Sequence, residues 1–212
     1  NHPKANYQLA IFYYDNQLFE LAIPHFEKAN LYDAPSRALH CHYKLKQFNQ
    51  FEQKLKKVIG TKHTSPLLAT LSNHYAVNFN KPDLYNFCPN PLEFVLHEKV
   101  TELVFNNHKL RLDLLSDIEQ TEISDRKQSR LYNGIQSSGN LFQRNEKSFQ
   151  LLSLALKKMI QKYYEMHQGS PCAFIKLFPK DIQFSSSWYV RMKQGGHLNS
   201  HIHEDGWISG AV

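Results

Sequence analysis

The chain has 212 residues, a hydrophobic fraction of 42% and a formal net charge of +6. Its length allows one large domain or two small ones, and its apolar content is sufficient for a hydrophobic core. The charges are spread along the chain without a basic stripe, which argues against a nucleic-acid partner. No signal peptide is visible at the start and there is no apolar run of about 18 residues, so we expect no membrane partner. Three widely spaced cysteines without a C-x-x-C pair indicate a reducing, cytoplasmic compartment.

The first part of the chain has helical periodicity. Residues 5–59 contain no glycine, and their apolar side chains recur at helical spacing. One set of positions shares the spacing of a known motif: Leu9, Ala10, Tyr13, Ala22, Phe26 and Ala29, with Pro35 just after them. This pattern resembles a tetratricopeptide repeat, and we expect a second, degenerate copy from Ala38 to Val58. The resemblance implies a protein or peptide partner for this region, and a plain helical hairpin is the alternative.

The middle of the chain contains the expected domain boundary. Residues 60–92 contain a short predicted helix near Leu67–His74, followed by proline-containing turns. We therefore assign residues 1–88 to the helical region and residues 89–212 to a second domain. The stretch after Pro91 reads as a helix. Residues 145–169 give the clearest helix, with Asn145 as its N-cap and Gly169 at its end.

Beyond Pro171 the periodicity changes from helical to alternating. Residues 173–178 and 183–193 each read as a strand. The Gly195-Gly196 pair predicts a tight turn after the second of these strands. If residues 197–203 are then extended, His197, Asn199, His201 and His203 share one face.

Two H-x-H pairs occur among the 12 histidines, and their expected geometries differ. On a helix, His40 and His42 lie about 200° apart around the axis, so they cannot share an ion. On a strand, His201 and His203 point to the same face and can converge on one metal. The sequence therefore indicates a metal site only for the second pair.

The last part of the chain resembles a known enzyme family. The residues that carry the resemblance are Ser187, Trp188, Gly195, Gly196, His201, His203, Ser209 and Gly210, with Asn133, Gly134, Gln136 and the stretch 139–142 upstream. Together they are similar to 2-oxoglutarate/Fe(II)-dependent oxygenases that often follow tetratricopeptide repeats. The resemblance implies an α+β chain, in which an N-terminal helical repeat region precedes a double-stranded β-helix of the jelly-roll type.

The resemblance also implies Fe(II) and 2-oxoglutarate as cofactors, with O2 as co-reactant. Its usual ligand set is two histidines and one carboxylate. We expect His201 and His203 as ligands, or His201 with Asp205 or Glu204 as the carboxylate, and His197 is a further candidate. The remaining histidine, and the basic residue that pairs the 2-oxoglutarate carboxylate, are expected beyond Val212, so the chain reads as a truncated piece of a longer protein.

The sequence also suggests roles for four further residues. Gln136 and Asn140 line the substrate mouth or form turns, and Trp188 and Trp207 pack the barrel. The main hypothesis is an iron- and 2-oxoglutarate-dependent dioxygenase with a helical-repeat arm. The alternative is a non-catalytic binding protein whose jelly-roll domain holds a structural metal or none. The prime substrate cannot be identified from these residues.

Overall fold

A computed structural model describes residues 2–61, 63–120, 123–126, 130–203 and 206–212. Within these ranges the chain is α+β, with eight α-helices and a small antiparallel sheet of three strands. This confirms the α+β class, while the double-stranded β-helix stays a prediction. The chain divides into two compact units, Asn1–Asn90 with His203–Trp207, and Pro91–Ile202 with Ile208–Val212. None of the helices in the described ranges is long and apolar enough to cross a bilayer.

The first unit is built from five helices: α1 Pro3–Asp15, α2 Phe19–Ala29, α3 Ala34–Lys44, α4 Phe48–Gly60 and α5 Pro66–Phe79. This confirms the helical prediction for residues 5–59. The predicted helix near 67–74 is also confirmed and is longer, because Ser65 caps its start by accepting a hydrogen bond from the Leu68 N–H at 3.0 Å. The helix ends at Asn80, which has a left-handed φ of 49°.

The α1–α2 and α3–α4 connections have the same geometry. The middle residue of each connection has a left-handed φ, 60° at Gln17 and 58° at Lys46. The residue after it donates its N–H to a carbonyl five residues earlier, at 2.9 Å in both connections. Two consecutive helical hairpins therefore use one turn design, as expected of a structural repeat.

The core of the first unit contains four of the motif positions, whereas Leu9 is 39% exposed. Ala10, Ala22 and Phe26 are fully buried and Ala29 is 3% exposed, and they form one cluster with Ala34, Ala38 and Cys41. Small side chains at these positions allow α1, α2 and α3 to pack closely. A second cluster joins α3, α4 and α5 through Leu39, Phe51, Leu55, Leu67, Leu68, Leu71 and Tyr75.

In its described residues, the second unit contains three short 3-10 helices, three further α-helices and the sheet. Its helices are the 3-10 turns Pro91–Phe94, Thr101–Leu103 and Leu141–Gln143, and α6 Phe105–Gln120, α7 Lys147–His167 and α8 Ala173–Lys176. Helices α6 and α7 pack through a cluster of Leu110, Leu114, Leu141 and Phe149. The 21-residue helix α7 confirms the clearest sequence prediction, although its N-cap is Glu146 instead of Asn145.

Two secondary-structure predictions outside the sheet of this unit are wrong. The stretch after Pro91 is not a continuous helix, since only short 3-10 turns precede α6 and β-branched residues in it lower helix propensity. Residues 173–178 are not a strand, because Ala173–Lys176 forms a single helical turn closed by the Lys176 and Leu177 N–H groups. A short apolar run is compatible with a strand or with a helix. Here the run is helical, and its Ile175 side chain is buried.

The sheet has the order β1-β2-β3, with β1 Asp125–Arg126, β2 Leu131–Ser137 and β3 Val190–Leu198. The predicted strand over 183–193 is therefore confirmed only from Val190 onwards. Strands β2 and β3 pair through Tyr132↔His197 and Gly134↔Met192, so the single residue Asn133 faces residues 193–196. This is a large β-bulge.

The two glycines form this bulge and not a turn, so the turn prediction is wrong. Gly195 has a left-handed φ of 74°, and Asn133 opposite has 46°. A Cβ on Gly196 would lie 2.9 Å from the carbonyl oxygen of Asn133, which explains why a glycine is needed there. The predicted extended strand over 197–203 is also wrong beyond Leu198, where β3 ends.

Candidate functional site

The structure brings together the two stretches that carry the family resemblance. Strand β2 lies in the upstream stretch, and it pairs with β3, which begins just after Ser187 and Trp188. The junction continues past the end of β2, where Asn140 and Ser187 form an isolated parallel bridge. Both stretches could be named from the sequence, but the sequence did not indicate that they pair.

Asn140 is the hydrogen-bonding centre of this junction. Its Oδ1 accepts from the Ser187 hydroxyl at 2.6 Å and from the Phe142 N–H at 3.1 Å. Its Nδ2 donates to the Phe184 carbonyl at 2.9 Å. The Ser187 Oγ accepts a second bond from the Phe142 N–H at 3.0 Å. Asn140 therefore caps a 3-10 turn and joins two chain segments, which confirms the turn-forming alternative for this residue.

Gln136 has a different environment from the one predicted. It lies within β2, opposite Arg126 on one side and Val190 on the other, and is 7% exposed. A turn-forming role is therefore wrong for Gln136. Its neighbour Ser137 is 1% exposed and accepts a hydrogen bond from the Tyr189 N–H at 3.0 Å.

His201 lies in the second unit, three residues beyond the end of β3. Its imidazole is exposed, and its Nδ1 lies 2.8 Å from the Asn199 carbonyl oxygen. Because a carbonyl only accepts, this contact requires an N–H on Nδ1, which leaves the lone pair of a neutral ring on Nε2. Metal-binding histidines commonly take this tautomer, with one ring nitrogen donating to a carbonyl.

His203 is exposed and belongs to the first unit, where its carbonyl accepts from the Gly206 N–H at 3.4 Å. The alternative carboxylates, Asp205 and Glu204, lie outside the described residues. Whether His203 or Asp205 joins His201 as a ligand therefore stays a prediction. The argument from a shared strand face no longer supports either choice, since β3 ends at Leu198.

Other residues near the motif have defined contacts. His197 stacks on Tyr132, with ring centroids 4.8 Å apart and an interplanar angle of 8°. Arg191 donates to the Ile118 carbonyl at 3.0 Å and lies over the Tyr189 ring. Trp207 packs edge-to-face on Phe87 within the first unit, and its role in packing a barrel stays a prediction.

The other H-x-H pair lies on a helix, as its sequence context predicts. His40 and His42 both lie on α3 and contact different partners. His40 hydrogen-bonds the Tyr14 hydroxyl, whereas Nδ1 of His42 lies 2.7 Å from Oε1 of Gln47. The predicted helical position of His40 and His42 is confirmed, and their imidazoles have different partners.

The donor chemistry fits iron only in part. Imidazole is a suitable ligand for Fe(II), and in the neutral tautomer that the Asn199 contact requires, Nε2 of His201 carries the lone pair. Among the residues that the structure describes, however, no group of three or more His, Cys, Asp or Glu side chains could hold a metal ion. The described residues by themselves therefore do not form a complete ligand set.

Comparison with known proteins gives no assignment: no family model, no curated protein and no solved structure matches this chain.

Proposed function

We propose that this chain belongs to a non-haem Fe(II)- and 2-oxoglutarate-dependent oxygenase. The observation that carries the proposal is the junction between the two resembling stretches. They are separated by helix α7 in sequence, yet β2 pairs with β3 and Asn140 bonds Ser187. A motif in two separated parts has functional meaning only if the parts meet in the fold.

In this proposal His201 is a metal ligand, together with His203 or, alternatively, Asp205. The proposal also requires a further ligand, a basic residue that pairs the 2-oxoglutarate carboxylate, and a double-stranded β-helix that holds them. When bound, the metal and 2-oxoglutarate would supply oxidative decarboxylation coupled to hydrogen abstraction from a prime substrate. The contribution of His201 is to present Nε2, because its Nδ1–H is held by the Asn199 carbonyl.

The helical unit is proposed to be an arm that binds a protein or peptide partner. Two hairpins with the same turn geometry, and buried alanines between their helices, are typical of repeat scaffolds. The same helical arrangement is equally compatible with the alternative function, a repeat-based binding protein with a structural metal or none. Conversion of 2-oxoglutarate at the metal would distinguish the oxygenase from the binding protein.

The test measures Fe(II)-dependent conversion of 2-oxoglutarate to succinate by the full-length protein, loaded with metal without oxygen and then exposed to O2. We expect succinate even without a prime substrate, at a slow uncoupled rate. His201→Ala should abolish both metal binding and succinate formation. His97→Ala is the matched control, since His97 is an exposed imidazole of the same unit.

The remaining ligand choice is tested with two further variants. If His203 is the second ligand, His203→Ala abolishes Co(II) binding, and Asp205→Ala weakens it by about 10–100-fold, as for a residue outside the ligand set. If Asp205 is the ligand, the two results are exchanged. Metal binding without any succinate would support the binding-protein alternative, and unchanged metal affinity in His201→Ala would contradict the metal site itself.

A further inference from the structure

The end of the β2–β3 ladder nearest His201 is a short section separated from the rest of the sheet. The bulge at residues 193–196 lies at one end of this section, and β3 ends at Leu198 at the other. Only two register pairs lie between, Leu131↔Leu198 and Tyr132↔His197. Such a short section gains little from backbone pairing alone, so its side-chain contacts matter more than in a continuous ladder.

The main side-chain contact of this section is the stack between Tyr132 and His197. The rings are nearly parallel, at 8°, with centroids 4.8 Å apart. Tyr132 is 48% exposed and His197 is also exposed, so the pair lies on the surface and contributes no core packing. Directly opposed aromatic side chains stabilise the strand pairing at the position where they lie.

Two hydrogen bonds lead from this section to His201. The Asn199 N–H donates to the Arg130 carbonyl at 2.9 Å, which continues the pairing one residue beyond each strand. The carbonyl of the same Asn199 accepts from Nδ1 of His201 at 2.8 Å. The backbone of Asn199 therefore connects the start of β2 to the imidazole and fixes its tautomer.

We infer that Tyr132 is a positioning residue for His201. Its ring, stacked on His197, holds the end of β3 against β2, so that the Asn199 carbonyl reaches Nδ1 of His201 and Nε2 carries the lone pair. His197 then serves as the stacking partner of Tyr132 and not as a metal ligand. The inference rests on the proposed function in taking His201 as the ligand.

The first experiment measures the His201 tautomer by ¹⁵N NMR of the metal-free full-length protein. Wild type, Tyr132→Phe and His197→Phe should all show a protonated Nδ1 and an unprotonated Nε2, because each retains two stacked rings. Tyr132→Ala and His197→Ala should show a mixture of the two tautomers. An unchanged His201 tautomer in both alanine variants would overturn the inference.

The second experiment measures Co(II) dissociation constants for the same variants. Tyr132→Phe and His197→Phe should bind within about twofold of wild type, whereas Tyr132→Ala and His197→Ala should bind about tenfold more weakly, as for loss of a group that orients a ligand. If His197→Phe lost binding as completely as His201→Ala, His197 would be a ligand and the inference would be wrong.

The two readouts separate failure of this inference from failure of the proposed function. If wild-type protein binds no metal, the oxygenase proposal fails, yet the NMR experiment still tests the positioning of His201. If wild type binds metal and Tyr132→Ala binds it equally well with an unchanged tautomer, the metal site stands and Tyr132 has no positioning role.

Discussion

The hydroxyl of Ser187 donates a hydrogen bond of 2.6 Å to Oδ1 of Asn140, 47 residues earlier in the chain. The two side chains also share the Phe142 N–H, which contacts Oδ1 of one and Oγ of the other. This pair fixes the segment before β3 against the turn after β2. The position of β3 in the sheet therefore depends on polar contacts as well as on strand pairing.

We predict that Asn140 and Ser187 contribute to stability as a coupled pair. Asn140→Ala removes three hydrogen bonds and should lower the free energy of unfolding by about 1–3 kcal/mol, and Ser187→Ala should lower it by a similar or smaller amount. The double variant should lose less than the sum, because both side chains belong to one network. Urea unfolding in a Trp207→Phe background, followed by Trp188 fluorescence, measures this in the second unit.

The matched controls are Ser185→Ala and Ser186→Ala, which remove exposed hydroxyl groups from the same segment. They should change the free energy of unfolding by less than about 0.5 kcal/mol. If the losses in free energy of unfolding of the Asn140 and Ser187 variants simply added in the double variant, a shared network would be contradicted.

The second prediction concerns the bulge. Gly196→Ala should destabilise the protein by about 1–3 kcal/mol, because the new Cβ would lie 2.9 Å from two backbone carbonyl oxygens, those of Asn133 and Lys193. Gly169→Ala is the control, since no heavy atom lies within 4 Å of a Cβ built there. Thermal unfolding compares the two variants. Equal melting temperatures would mean that the bulge relaxes at no cost.

The helical part of the fold could be predicted well from the sequence. The alanines at positions 10, 22 and 29 recur at motif spacing, and each is buried where helices meet. Local periodicity is sufficient here because helical hydrogen bonds join residues close in sequence. The long helix α7 was predicted for the same reason.

The sheet could be predicted only in part, because its determinants are non-local. The Gly195-Gly196 pair reads as a turn in isolation, yet it forms a bulge once Asn133 of β2 lies opposite. Likewise, the partner of Ser187 lies beyond α7, and no local pattern identifies Asn140 as that partner. The H-x-H motif could be recognised from its residue spacing. The end of β3 at Leu198, however, depends on where its partner strand β2 begins.

The third prediction concerns cysteine reactivity. Cys41 is fully buried, and burial raises the pKa of its thiol to about 12. Its thiolate fraction near neutral pH is then about a thousandfold below that of an ordinary thiol, so it should resist iodoacetamide in the native protein. Cys88 and Cys172 are only half-buried and should be alkylated first. Mass spectrometry of peptides from native and urea-treated protein measures this, and early alkylation of Cys41 would contradict its burial.

The last prediction concerns pH and His63. This imidazole lies between α4 and α5, and its Nε2 is 2.8 Å from the hydroxyl of Ser36, which is fully buried and also bonds Ser65. Burial lowers the pKa of His63 below its ordinary value of 6.5, and the nearby Asp33 carboxylate opposes this effect only in part. The folded protein therefore resists protonation of His63 more than the unfolded chain does.

The direction of the pH effect follows from this difference. Above pH 6.5 the ring is neutral in both states and its contacts stabilise the fold fully. As the pH falls below 6.5, the unfolded chain takes up a proton first, so the free energy of unfolding decreases until the folded pKa is passed. In a His63→Gln variant, which keeps a polar partner for Ser36 but does not titrate, this component should be absent. Urea unfolding of both proteins between about pH 7.5 and about pH 5 should therefore show their stability difference shrinking as the pH falls. A difference that stays constant over this range would mean that burial does not shift the His63 equilibrium.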